Sequence, residues 1–233
     1  MAADTLSGCQ HFLHVRRVFP GAWRIYDMLN KLEESQQTPP LLPIILQGML
    51  AAAWADGEYA FVAVTALAFH CMLRTIEFLD LSNLQIQLDS SDTGVVHLGK
   101  SKSGKRSNQD EMVSIEDPLV GRLLKMVLQY GPRGARVFPQ AAGRYRFLFH
   151  HYLTVLMCAQ IGFQPYSLRR GGATFDFSLH GDVSRTMMRG RWSAVKTAKI
   201  YINRAYGVAT SLSLDPSIIE ACQFHAAKLL RPN

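Results

Sequence analysis

A run of 15 residues without a charged side chain, residues 59–73, most constrains the fold of this chain. Its sequence, YAFVAVTALAFHCML, would be apolar on every side of a helix, which is typical of a helix buried at the centre of a domain. It is shorter than the roughly 20 residues that a helix needs to cross a bilayer. The uncharged segment before it, residues 41–55, is interrupted by Pro43 and Gly48. The two segments therefore predict two helices of a domain that does not span a membrane.

Short segments of β type follow these helices. They are residues 85–88, 95–98 and 112–115. Between the last two lies GKSKSGKR at residues 99–106, which carries four cations and predicts an antiparallel hairpin with a basic tip. From residue 119 onward helical patterns predominate again. The predicted fold class is therefore α+β, predominantly helical, with a small antiparallel sheet.

Changes of pattern also divide the chain. A polar stretch ends at Gln37, and Thr38-Pro39-Pro40 stops any preceding helix, so we expect an N-terminal segment over residues 1–37. Residues 38–206 form the predicted main domain. In the remaining residues, 207–233, Asp215-Pro216 is typical of an N-cap followed by an N1 proline, which predicts a final helix from Pro216 to about Leu230.

Charge is concentrated in one part of the sequence. The 233 residues carry 25 Lys and Arg against 18 Asp and Glu, a net charge of +7. Residues 118–204 hold 14 of the basic residues and two acidic ones, a net charge of +12, whereas the rest of the chain has a net charge of −5. Such an excess favours a phosphate-rich partner, because Lys and Arg that neutralise phosphates supply most non-specific affinity for nucleic acid.

The N-terminal residues and the cysteines indicate an intracellular protein. Residues 1–17 lack the continuous apolar region and cleavage site of a signal peptide. Cys9, Cys71, Cys158 and Cys222 are scattered, with no C-x-x-C pair and no histidines at zinc spacing. We therefore expect reduced thiols, no metal site, and a location in the nucleus or in the cytoplasm and nucleoid, depending on the host.

Four segments contain residues suited to metal-free cleavage of a phosphodiester, which needs a nucleophile, cations around the phosphate and an acid for the leaving oxygen. They are LRTIEFL at residues 73–79, SKSG at 101–104, SLRRGGAT at 167–174, and GRW at 190–192 followed by KIY at 199–201. In this order, these segments resemble the catalytic domain of the tyrosine recombinase (phage integrase) family. The resemblance covers about residues 38–206.

The resemblance implies a role for each matching residue. Arg74 and Arg169 match the two catalytic arginines, Glu77 the supporting acid, Lys102 the hairpin lysine, Trp192 the His/Trp position and Tyr201 the nucleophile. Lys100 and Lys105 on the same hairpin tip leave the identity of the lysine open. The residues expected to contact DNA are Lys100, Lys105, Arg106, Arg170 and Arg191.

The implied reaction is cleavage and rejoining of DNA strands, as in site-specific recombination or DNA integration by a mobile element. Tyr201 would attack a DNA phosphate, leaving a 3′-phosphotyrosyl link and a free 5′-hydroxyl, without ATP, metal or other cofactor. The implied partners are double-stranded DNA and other protomers in a synaptic tetramer. The family usually has an N-terminal core-binding domain that closes a clamp on DNA, and we expect it to be absent or truncated in residues 1–37.

The spacing of Trp192 and Tyr201 predicts that they do not share a helix. Nine residues are 2.5 helical turns, which would place the two side chains on opposite faces of a continuous helix. Ser193 is a candidate N-cap, which would leave Trp192 just outside the helix and Tyr201 on it. Both side chains could then face one phosphate.

One position departs from the family's pattern. Three residues before the second arginine the family usually has histidine, and this chain has Tyr166. A phenol, which titrates near pH 10, can donate a hydrogen bond but is a poor general base at neutral pH. We therefore expect Tyr166 to affect the rate more than the mechanism.

Three functional alternatives follow. The first is a DNA breaking and rejoining enzyme; the second is a catalytically weak or inactive DNA-binding relic of a mobile-element recombinase; the third relaxes supercoils as a type IB topoisomerase does. The final helix has two alternatives as well: it packs on a neighbouring protomer, or it caps its own domain.

Overall fold

The computed structural model describes residues 21–23, 38–99, 110–202 and 204–229. The chain divides into two compact units, residues 1–37 and residues 38–233. In the first unit, residues 21–23 are helical. No helix among the described residues is long and apolar enough to span a bilayer.

The second unit consists of helices and one small sheet. Its described helices are α1 (Pro43–Ala55), α2 (Tyr59–His70), α3 (Thr75–Leu79), α4 (Pro118–Leu128), α5 (Ala142–Val155), α6 (Ser167–His180), α7 (Val183–Gly190), α8 (Val195–Tyr201), α9 (Arg204–Leu212) and α10 (Pro216–Leu229). Its strands are β1 (Ile86–Leu88), β2 (Gly94–Gly99) and β3 (Glu111–Ile115). The predicted fold class, predominantly helical with a small antiparallel sheet, is confirmed.

Helix α2 is the central helix, as its sequence predicts. Nine consecutive residues, from Phe61 to Phe69, are buried. The helix ends at His70 rather than Leu73, because Met72 adopts a left-handed conformation with φ of 48°. The amide of Leu73 donates to the carbonyl oxygen of Ala68, which is the Schellman arrangement that closes a helix end. This turn redirects the chain and delivers the residue that follows, Arg74, to the start of α3.

The sheet follows the predicted hairpin pattern. Its order is β1-β2-β3, both pairs are antiparallel, and the register pairs Val96 with Ile86 and with Val113. Val96 is fully buried, so one face of the sheet packs on the core. The basic tip of the hairpin, within residues 100–109, lies outside the described residues.

Two glycines allow α6 to lie against neighbouring backbone. A Cβ atom on Gly171 would come within 2.3 Å of the carbonyl oxygen of Leu41, and one on Gly172 within 2.0 Å of the carbonyl oxygen of Phe69. Since these neighbours are backbone atoms, they cannot rotate away as a flexible side chain would. The close packing of α6 fixes its distance from α2, and α6 carries two of the predicted site residues.

We expect Gly172→Ala to lower the free energy of unfolding by about 3 kcal/mol, because the added methyl group forces α6 away from α2. The control is Gly143→Ala in α5, where the structure has open space and the substitution is expected to change stability by less than about 1 kcal/mol. Chemical denaturation of the two variants measures the difference. Equal stabilities would contradict the packing described here.

Within this chain the final helix packs on its own domain. Helix α10 packs along α1. Cys222 and Ile218 on α10 are almost fully buried, and a Cβ atom on Gly48 in α1 would lie 2.9 Å from the Cα atom of Cys222. Burial raises the pKa of the Cys222 thiol to about 11, so this thiol is protonated at neutral pH.

Candidate active site

Arg74 lies at the N-cap of α3 and is held there by one carboxylate. Its backbone amide donates to Glu77 Oε2 at 2.7 Å, and its Nη1 donates to Glu77 Oε1 at 2.5 Å. Partial burial acts to lower the pKa of Arg74, but the hydrogen bond and charge of Glu77 outweigh it and raise the pKa above its ordinary value. The side chain remains 38% exposed. It is therefore a fixed cation that solvent, or a ligand, can reach.

Arg169 lies beneath the site rather than at its surface. Its side chain is fully buried on α6, and its two terminal nitrogens donate to the carbonyl oxygens of Met72 and, at 2.7 Å, Gly190. Burial lowers its pKa to about 10, which still leaves it charged at neutral pH. In this structure the fork of Arg169 joins the turn before Arg74 to the turn before Trp192.

Two aromatic rings cover the guanidinium of Arg169. Trp192 and Tyr201 stack with their ring centroids 4.5 Å apart, and the guanidinium carbon lies 4.9 Å from the first centroid and 5.2 Å from the second. These distances permit cation–π attraction to both rings. The indole Nε1 of Trp192 is buried without a hydrogen-bond partner among the described residues. This N–H is therefore a donor that is not committed to another described group.

The hydroxyl groups of Tyr166 and Tyr201 meet directly. Tyr166 donates to the Tyr201 oxygen at 2.6 Å. Burial, followed by the hydrogen bond and charge of Tyr201, raises the pKa of Tyr166 to about 12. Tyr166 therefore stays protonated across the physiological range and acts at Tyr201 as a donor, not as a base.

Arg191 adds another buried guanidinium to this cluster. Its Nη2 donates to Glu77 Oε2 at 2.6 Å, and its Nε lies 3.2 Å from Glu111 Oε2. Glu111 Oε2 also lies 4.0 Å from Arg74 Nη1. Burial lowers the pKa of Arg191. The sequence predicts a DNA contact for Arg191, whereas the structure places its side chain in the interior, only 8% exposed. Glu111 is a member of the cluster that the sequence analysis did not predict.

Helix α6 also fixes the end of α8. Arg170 is buried and its Nη2 donates to the carbonyl oxygen of Ile200 at 3.1 Å. The hydroxyl of Thr174 donates to the backbone carbonyl oxygen of Tyr201 at 3.2 Å. Arg170, predicted to contact DNA, thus makes a contact inside the domain. The two bonds hold the backbone on which the Tyr201 side chain stands.

The start of α8 differs in detail from the prediction. The N-cap is Ala194, with no side-chain capping bond, and not Ser193. Trp192 nevertheless lies outside the helix and Tyr201 is its last residue. Both side chains can therefore face the same point, which is the arrangement that their nine-residue spacing predicts.

Ion pairs anchor the segment before Trp192. Arg189 on α7 donates to the carbonyl oxygen of His70 at 2.9 Å, and its Nε lies 3.3 Å from Asp176 Oδ1. Asp176 also accepts from the hydroxyl of Thr186 at 2.6 Å. These contacts tie α7 to the ends of α2 and α6, so the turn that carries Trp192 is supported from below.

The structure thus brings together most of the predicted catalytic residues. One connected cluster contains six of them: Arg74, Glu77, Tyr166, Arg169, Trp192 and Tyr201. The predicted hairpin residues Lys100, Lys102, Lys105 and Arg106 lie outside the described residues. The described part of the chain contains no group of three or more His, Cys, Asp or Glu side chains that could hold a metal ion.

Comparison with solved structures finds recombinases. XerA recombinase matches with a TM-score of 0.55 and 18% identity, over 78% of this chain and 66% of that one. Two complexes of the XerH site-specific recombinase with difH substrate match at 14% identity. The post-cleavage complex has a TM-score of 0.59 over 77% of this chain, and the pre-cleavage complex has 0.57 over 75%.

This chain spans about half of XerH, 55% and 53% of the two XerH chains. No family model matches the sequence, and no curated protein matches it. At these identities the likeness is one of fold. The fold is the helical fold of the tyrosine recombinase catalytic domain.

Proposed function

We propose that the protein breaks and rejoins DNA strands, with Tyr201 as the nucleophile, in site-specific recombination. The observation that carries the proposal is the position of the Tyr201 side chain. Its ring stacks on Trp192, with the Arg169 cation against both rings, and Arg74 lies in the same cluster. A nucleophile surrounded by donors and cations suits attack on a phosphodiester.

The proposed cleavage exchanges one ester for another. The Tyr201 oxygen forms a bond to phosphorus and loses its proton, while the bond from phosphorus to the 5′-oxygen breaks and that oxygen gains a proton. The products are a 3′-phosphotyrosyl link and a 5′-hydroxyl. Because the energy of the original ester is retained, attack by a 5′-hydroxyl reverses the step without ATP.

The charge of the cluster suits this substrate. Three guanidinium groups, of Arg74, Arg169 and Arg191, accompany two carboxylates, of Glu77 and Glu111, which leaves one formal positive charge among these five side chains. A phosphodiester carries one negative charge, and charge on its non-bridging oxygens grows in the transition state. Arg74 is the exposed member that can contact those oxygens, and Trp192 can donate to another. We propose Lys102 as the acid that protonates the leaving oxygen.

Tyr166 has a defined part in this scheme. By donating to the Tyr201 oxygen it orients the nucleophile, but its own raised pKa makes it unfit to remove the proton. We propose that the proton of Tyr201 passes to solvent.

We expect Tyr166→His to form the covalent DNA adduct roughly tenfold faster or more at pH 7.5, because a neutral imidazole can accept the proton of Tyr201. The wild-type rate is expected to keep rising with pH above 8, whereas the rate of the variant levels off above about pH 7, past the ordinary histidine pKa. Single-turnover rates between pH 6 and pH 9 (about three decades of hydroxide concentration) measure both profiles. Identical profiles would show that the proton does not pass through position 166.

The proposed function is tested with nicked DNA. A pool of labelled duplexes of randomised sequence carries a nick, so that cleavage releases a short fragment and traps the covalent complex. The proposal predicts a labelled protein band that survives denaturation. DNA binding by gel shift without such a band would instead support the second candidate, a DNA-binding relic, which the phenol at position 166 favours.

The wider roles are proposals of the same kind. Recombination joins two DNA duplexes, so we propose that four protomers assemble as a tetramer on them. Relaxation of supercoils would need only one protomer. Integration of a mobile element and an intracellular site of action, in a nucleus or nucleoid, are consistent with a DNA substrate. Relaxation of plasmid DNA without joining of two duplexes would identify the topoisomerase-like alternative.

A further inference from the structure

The backbone at Arg191 has the conformation that glycine usually takes. Its φ is 58°, in the left-handed region, at the C-cap of α7. A side chain with a Cβ atom is disfavoured there, and glycine is the default residue. An arginine at such a position has a backbone cost that the contacts of its side chain can offset.

Those contacts connect Arg191 to Arg74 through one carboxylate. Glu77 Oε1 accepts from Arg74 Nη1 at 2.5 Å, while Glu77 Oε2 accepts from Arg191 Nη2 at 2.6 Å. Each oxygen of the carboxylate thus serves a different arginine. Since Arg191 fixes one end of Glu77, it also fixes the oxygen to which Arg74 is bound.

A second carboxylate makes the arrangement more rigid. Glu111, at the start of β3, has Oε2 3.2 Å from Arg191 Nε and 4.0 Å from Arg74 Nη1. Arg191 is therefore held by two carboxylates from different elements, α3 and β3. Its side chain is only 8% exposed, against 38% for Arg74, so it is the poorer candidate for contact with DNA.

We propose that Arg191 is a positioning residue that holds the guanidinium of Arg74 at the scissile phosphate through the shared carboxylate of Glu77. This inference rests on the proposed function. It assigns Arg191 a part in the chemical step rather than in DNA affinity, unlike the DNA contact that the sequence predicts.

The test compares Arg191→Gly with the wild-type chain on the DNA sequence that the wild type cleaves. Glycine suits the backbone conformation, so the substitution removes the side chain without adding strain. We expect adduct formation about 100-fold slower, because a misplaced catalytic group costs about that factor. DNA affinity is expected to change little. Arg122→Gly on α4, whose exposed side chain pairs with Asp92 outside the cluster, is the control and is expected to keep the wild-type rate.

A second substrate separates positioning from general damage. A methylphosphonate at the scissile position lacks one charged non-bridging oxygen, so its cleavage depends less on an arginine placed there. The defect of Arg191→Gly is expected to shrink to about tenfold or less on this substrate, and that of Arg74→Ala to shrink with it. Equal defects on both substrates, or a wild-type rate on the phosphate, would overturn the inference.

Arg191→Lys decides the matter if the glycine variant does not fold. A lysine ammonium retains the charge but lacks the rigid, planar fork of donors with which Arg191 meets Glu77 and Glu111 from separate nitrogens. We expect an intermediate rate and the same recovery on methylphosphonate. If the wild type forms no adduct, both the proposed function and this inference fail. If the wild type forms the adduct and the Arg191 variants form it at the same rate, only this inference fails.

Discussion

Arg169→Ala is expected to abolish the covalent DNA adduct and to lower the free energy of unfolding by roughly 2 to 5 kcal/mol. The fully buried guanidinium donates to the carbonyl oxygens of Met72 and Gly190, and its loss leaves both acceptors buried without a partner. Each such group costs about 1 to 3 kcal/mol. The substitution also separates the turns that carry Arg74 and Trp192, so stability and activity should fall together.

Urea denaturation and the nicked-DNA assay measure the two effects of Arg169→Ala. The control is Arg122→Ala, which removes an arginine that is 67% exposed and paired with Asp92. An exposed pair contributes at most about 1 kcal/mol, so this variant should keep its stability and its adduct. Some DNA binding should survive in Arg169→Ala, because the remaining basic side chains are unchanged. Adduct yields equal to those of the wild type would refute the place of Arg169 in the site.

Tyr201→Phe is expected to reduce adduct formation more than about 10⁴-fold, which is the scale of removing an enzyme nucleophile. Only the hydroxyl group is lost. The stacking on Trp192 and the contact with the Arg169 guanidinium involve the ring, which phenylalanine keeps. DNA affinity and stability should therefore stay close to those of the wild type, apart from about 1 kcal/mol for the lost hydrogen bond to Tyr166.

Tyr166→Phe is the matched control, because it removes the same hydrogen bond from the other side. It is expected to keep the adduct, formed about tenfold more slowly, since the hydrogen bond that orients the Tyr201 oxygen is gone. The nicked-DNA assay run on both variants distinguishes the two hydroxyls. Adduct formation by Tyr201→Phe would remove Tyr201 from the proposed role.

The sequence predicts the fold well where periodicity is strong. The uncharged run at residues 59–73 becomes the central helix, and the β-type segments pair as a hairpin. The early end of that helix was not predicted, because a Schellman turn at Met72 has no glycine to mark it. Two backbone hydrogen bonds, from the amides of Met72 and Leu73, offset the cost of the left-handed conformation at Met72. The turn also directs the chain so that Arg74 lies at the N-cap of α3.

The candidate site was predictable only as a set of residue types. The order of the motifs predicts the set that contains Arg74, Arg169, Trp192 and Tyr201. The sequence could not show that both terminal nitrogens of Arg169 donate to backbone carbonyl oxygens. Burial decides this, and burial depends on elements far apart in the chain. The role of Glu111 could not be predicted from the sequence, because it depends on β3 placing the carboxylate beside Arg191 and Arg74.

The identity of the tyrosine that carries DNA tests the central claim most directly. Trypsin, which cleaves after Lys and Arg, would release residues 200–204, IYINR, with Tyr201 as the single tyrosine, and residues 147–169, which contain Tyr152 and Tyr166. The covalent complex is trapped on nicked DNA, digested with nuclease and trypsin, and examined by mass spectrometry. We expect a nucleotide mass on residues 200–204, and a nucleotide on residues 147–169 would contradict the assignment of Tyr201 as the nucleophile.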